Sequence, residues 1–124
     1  MGGASLLPSD AQDRFLKAVR EKADRSKLAD LLRQGSTTLP DLINRPSFQH
    51  VSEGRTPLAY AVAQNHERVA RDLIHLRANV NHIMGDSTTA LTLAVSNELR
   101  DGTEMVRVLL SKGADPAALA RANI

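Results

Sequence analysis

Four histidines, a Gly-Asp-Ser-Thr run and a set of arginines are the groups of this chain with chemistry to offer. The histidines are His50, His66, His75 and His82. No two stand four residues apart and the chain has no cysteine, so neither the helical His pair nor the thiolate set of a zinc site is present. Gly85-Asp86-Ser87-Thr88 has the small residues of an esterase nucleophile turn. Thr89 stands where that turn needs its second glycine, and no strand-like run precedes it. No Gly-rich loop could cradle a phosphate. The chain therefore reads as a non-enzyme with no cofactor and no metal.

Arginine is the more serious candidate. It outnumbers lysine twelve to four, yet the formal net charge is only +2. Arg45, Arg55, Arg68, Arg71 and Arg107 could meet phosphate oxygens if they clustered. Asp72 follows Arg68 by four residues and Glu104 precedes Arg107 by three, which is the spacing of local pairing on a helix. Single-strand readers also use stacking aromatics, and only Phe48 and Tyr60 are placed for that.

The elements that carry these groups repeat. Residues 54–61 read GRTPLAYA and 87–94 read STTALTLA, with Thr56 and Thr89 separated by 33 residues. Thr56 suits a helix cap and Pro57 the first helical position. Leu58, Ala61 and Val62 then share one helical face, as do Leu91, Ala94 and Val95. A second helix follows in each unit: Val69, Ala70, Leu73 and Ile74 in one; Met105, Val106, Leu109 and Leu110 in the other. Gly113 suits the residue just past a helix end, and Arg77 replaces it in the earlier unit, where the end must be strained or closed differently. Upstream, Phe15, Leu16 and Val19, then Leu28, Leu31 and Leu32, mark another helix pair that Gly35 is expected to stop. Its polar positions suit a terminal unit. With few aromatics, burial must come from Leu, Ala, Val and Ile, which favours closely packed helices.

A period of 33 with this content marks a repeat array. The chain resembles the ankyrin repeat family through Thr56-Pro57-Leu58, Ala61, His66, Val69, Leu73-Ile74, Ala78 and Val80-Asn81. In the next unit the likeness rests on Thr89, Leu91, Ala94, Leu109-Leu110 and Gly113-Ala114-Asp115-Pro116. The resemblance covers roughly residues 10–116. It implies an all-α fold, an ankyrin-type α-solenoid of stacked helix-turn-helix pairs with extended, β-hairpin-like finger loops. The expected organisation is a flexible N-terminus or expression remnant at 1–9, a capping helix pair at 10–35 and a long loop at 36–55. A repeat at 56–81, a finger at 82–88, a repeat with an inserted turn at 89–115 and a short helix at 116–124 complete it. Three departures stand out. The family's His after Thr-Pro-Leu is Ala59 in one unit and Thr92 in the other, which removes a hydrogen bond that braces the loops. By count, the 36–55 loop is about four residues longer than a standard connection, and residues 96–102 lengthen a turn by about three.

The resemblance implies recognition of a protein or peptide, through the fingers and the concave face of the first helices. The first finger offers Phe48, His50 and Arg55; the second offers His82, Ile83, Met84 and Asp86. Ile83 and Met84 are apolar where polar residues are usual, so a contact role competes with folding back. Tyr60, Gln64, Ser96 and Asn97 are expected along the groove. The alternatives are a nucleic-acid-binding accessory domain using Arg45, Arg55, Arg68, Arg71 and Arg107, and an intramolecular structural domain exposing Val106, Leu109, Leu110 and Leu119. A monomer is expected, with no membrane and no small-molecule substrate, as a piece of a larger protein. The lack of cysteine fits an intracellular setting, cytoplasmic or nuclear.

Overall fold

In the computed structural model, residues 8–35, 41–46, 55–84, 87–96 and 103–121 are described. Seven α-helices lie among them. They are α1 (Pro8–Arg20), α2 (Arg25–Gly35), α3 (Pro57–Ala63), α4 (Glu67–His75), α5 (Ala90–Ser96), α6 (Thr103–Ser111) and α7 (Ala117–Arg121). Successive helices pair as α1–α2, α3–α4 and α5–α6, and the pairs stack. First helices α1, α3 and α5 form one layer, which α7 extends; second helices α2, α4 and α6 form the other. Among the described residues this is an all-α solenoid of stacked helix pairs.

A small residue recurs at the same register position of the first helices, Ala18, Ala61 and Ala94, each at most 4% exposed. Phe15, Leu58 and Leu91 fill the same turn of each helix from within, all fully buried. Leu28, Val69, Leu73, Met105 and Leu109 supply the second layer. Burying a side chain of this size contributes roughly 1.5–3 kcal/mol, so this one core accounts for most of the favourable term.

Helix starts follow the sequence logic. Thr56 Oγ1 accepts from the Ala59 N–H at 3.2 Å, with Pro57 at the first helical position. In the later unit Thr92 does more than the missing histidine suggested. The Thr89 N–H donates to Thr92 Oγ1 at 2.8 Å, and the Thr92 N–H donates back to Thr89 Oγ1 at 3.3 Å. This is a reciprocal capping box that closes the first turn of α5. Ala59 can supply no such side chain in the earlier unit.

Helix ends share one design. At Lys22, Asn65, Arg77 and Gly113 the backbone turns left-handed, with φ of 58°, 58°, 81° and 100°. Each closes two hydrogen bonds back onto its helix; Ala78 N–H reaches the Leu73 carbonyl and Arg77 N–H the Ile74 carbonyl, both at 2.9 Å. Ala114 to Leu109 and Gly113 to Leu110 repeat the pattern at 3.0 and 3.2 Å. This is the Schellman closure. Arg77 therefore closes its helix as Gly113 does, and carries the strain a Cβ imposes there.

Gly35 ends α2 and also makes room in the core. It is the last residue of α2, buried, and a Cβ on it would lie 2.6 Å from Leu42 Cδ2 and 3.3 Å from Ala11 Cβ. The glycine is there for space, not for a left-handed stop. Leu42 belongs to a 3-10 turn, Leu42–Asn44, inside the segment expected to be a long loop. Leu42 and Ile43 are buried, 1% and 8% exposed. The rest of that loop, residues 36–40 and 47–54, lies outside the described residues, as do 1–7 and the inserted turn after Ser96 up to residue 102.

Side chains tie one unit's loop to the next. Asn44 Oδ1 accepts from the Asn79 N–H at 2.7 Å. Asn81 Oδ1 accepts from the Asp115 N–H at 2.7 Å, and Asn81 Nδ2 donates to the Gly113 carbonyl at 3.0 Å.

Two substitutions test these readings. Arg77→Gly should raise unfolding free energy in urea by about 0.5–1 kcal/mol, because the left-handed turn no longer holds a Cβ. Gly35→Ala should lower it by about 1–3 kcal/mol, through overpacking against Leu42.

Candidate recognition surface

The second finger is closed by backbone. The Ser87 N–H donates to the Met84 carbonyl at 2.8 Å, and the Met84 N–H to the Thr88 carbonyl at 2.9 Å. Ser87 takes φ 72°, in the left-handed region. This hairpin-like closure aims the two apolar residues before it in opposite directions. Ile83 is 57% exposed, while Met84 is 6% exposed. Met84 thus folds back onto the protein, and its expected place at an exposed tip is corrected. Ile83 and Ala118, with Ser87 and Thr89, line an open recess of about 410 Å³ between finger and α7. His82 is half-buried beside them.

On the first helices, positions facing away from the second layer are the accessible ones. Tyr60 is half-buried and packed against the core, and Gln64 is exposed at the end of α3. Ser96, the last residue of α5, is exposed, its Oγ donating to the Thr92 carbonyl at 3.0 Å. Leu93, half-buried, matches Tyr60 in register. The fold therefore brings Tyr60, Gln64 and Ser96 to one face, set apart from Ile83 along the same units. Arg55 is half-buried in an isolated bridge and Arg45 is exposed. Phe48, His50, Asp86 and Asn97 lie outside the described residues.

The second-helix arginines are engaged. Arg68 pairs with Asp72 and also grips the preceding unit, donating to the Lys22 carbonyl and, at 3.0 Å, to that of Ala23. Arg71 pairs with Glu67 at 2.7 Å and reaches Glu104 across the stack at 3.6 Å. Glu104 also holds Arg107, at 3.3 Å. Sequence spacing showed the local pairs; it gave no sign of the Arg68 clamp or the Arg71–Glu104 bridge, which arise only from stacking. Of the four apolar residues that would mark a second binding end, Leu109 is fully buried, Val106 and Leu119 half-buried, and Leu110 is 42% exposed.

Among the described residues no cluster of His, Asp or Glu could hold a metal ion, and no helix is long and apolar enough to cross a membrane. His66 caps α4 by position only. Its Nδ1 is buried with no hydrogen-bond partner. Desolvation, then the nearby Lys22 ammonium, pulls its pKa below the ordinary 6.5.

The stacked pairs, turn-closed finger and carboxamide ties define a helical repeat protein. A family model described as ankyrin repeats in three copies matches residues 16–119. The chain belongs to the ankyrin repeat family. A search of curated proteins finds no match. Domains of this family are generally protein-interaction modules and typically non-catalytic.

His66 gives a pH dependence. The unfolded chain protonates near 6.5, while the folded one resists. Stability is then full above that pH and falls as pH drops below it, until the folded histidine also protonates. Unfolding free energy measured between neutral and acidic pH should show this decline, and His66→Asn should flatten its His-dependent part.

Proposed function

We propose that this chain is a non-catalytic scaffold or adaptor module, an ankyrin-type part of a larger protein. It binds a protein or peptide through its second finger and the inner face of its first helices. The observation that carries this reading is Ile83, more than half exposed at a finger whose backbone is closed and whose neighbour Met84 is buried. An aliphatic side chain held in water gains on being covered by a partner. Tyr60, Gln64 and Ser96 extend the contact along the groove. Phe48, His50, Arg55, His82, Met84, Asp86 and Asn97 belong to the same proposal, with Met84 supporting the finger from beneath. The module acts as a monomer, in the cytoplasm or nucleus.

The nucleic-acid alternative is weakened by the partners of Arg68, Arg71 and Arg107, all held by carboxylates. Phosphate binding would first have to break those pairs.

The test is affinity capture from a cell lysate by the intact chain and by Ile83→Asp, with and without nuclease. Capture should fall about tenfold or more in the variant, with stability unchanged within roughly 0.5 kcal/mol. Equal capture by both would exclude the second finger, and capture abolished by nuclease would support the nucleic-acid reading instead.

A further inference from the structure

The first helix pair differs from the others in how its charges are arranged. On α4 and α6 the exposed arginines are all paired, and on α2 Arg33 pairs with Asp30. Arg14, Lys17 and Lys27 are exposed, and no carboxylate of the described residues lies within ion-pair distance of their side chains. Lys17 and Glu21 stand one helical turn apart, a spacing that favours pairing, and still do not pair. All four border one recess of about 280 Å³ between α1 and α2, floored by Ala18 and Leu31. A second recess of about 390 Å³ continues it along α2, sharing Lys27 and Leu31. This groove lies on a side of the first pair that no other described unit covers.

We propose that this groove is a second docking surface, distinct from the finger, and that its occupant is an acidic protein segment with interspersed aliphatic side chains. Carboxylates of that segment meet Arg14, Lys17 and Lys27, which have no partner of their own to give up. Its aliphatic side chains cover Leu31 and Ala18 on the floor. Charge complementarity of this kind steers encounter and sets register. A polyanion with phosphates at every step fits less well, because Glu21 and Asp30 stand among the cations and would repel it. A flat anionic bilayer could not reach the recessed leucine.

The probe is a fluorescein-labelled Asp-Glu-Leu-Asp-Glu-Leu peptide, followed by anisotropy against the full chain at low salt. Saturable binding with a Kd under about 1 mM is expected, weakening as salt rises. Lys17→Glu/Lys27→Glu should raise the Kd about tenfold or more, as should Arg14→Gln/Lys17→Gln, while both variants keep the parent's circular dichroism and melting temperature. Ile83→Asp should bind the peptide as the parent does, which separates this surface from the finger. Lack of saturable binding below about 1 mM, or equal affinity in the charge variants, would overturn the proposal. So would tighter binding of an oligouridylate or of phosphatidylserine-containing vesicles than of the peptide.

Discussion

The spacing of the fingers depends on one side-chain amide. Asn81 holds the next unit at two points, accepting from the Asp115 N–H and donating to the Gly113 carbonyl. Its own N–H is fixed on Asn79 Oδ1, so the amide is aimed before it reaches across. Asn44 does the related work one unit earlier, and Asp41 Oδ1 accepts from its Nδ2 at 3.0 Å. Loop backbone has polar groups that helices do not satisfy, and in a stack of helix pairs these amides answer part of that need. They also set the distance from one loop to the next. The finger that presents Ile83 starts directly after Asn81, so its position is inherited from this bond.

The layer beneath obeys a different constraint. First helices stack closely where the residues between them are small, and Ala61 and Ala94, both fully buried, meet that requirement. The left-handed ends then turn each chain segment back within two residues. Three of those ends lack glycine, and Asp41 and Ser87 are left-handed non-glycines as well. Each holds a conformation that costs on the order of 1 kcal/mol. The stack tolerates these costs because the packed alanine and leucine layers outweigh them.

Much of this was legible in the sequence. The repeated Thr-x-Leu phrase, the helical spacing of Leu and Val, and the Gly113 turn are local signals, and each reports on residues a few positions away. The polar ties between units were not legible. Arg68 and the carbonyls of Lys22 and Ala23 stand more than forty positions apart, so spacing along a helix says nothing of them. Leu42 and Ile43 were missed because two apolar residues between prolines are too short to show a period. Gly35 was read as a stop because a glycine after a leucine run signals one; only the packed Leu42 reveals the need for space. In the candidate surface, sequence placed Ile83 and Met84 together at a tip. Ile83 is exposed and Met84 buried, a separation that only the packed structure reveals.

Asn81→Ala tests the account most directly. Amide hydrogen exchange and urea unfolding of the variant should be compared with the parent. If the carboxamide couples the units, protection at the Asp115 N–H drops and unfolding free energy falls by about 1–2 kcal/mol, the net value of two such bonds. An Asp115 amide equally protected in both proteins, with unchanged stability, would contradict it and leave the alanine layer as what holds the units in register.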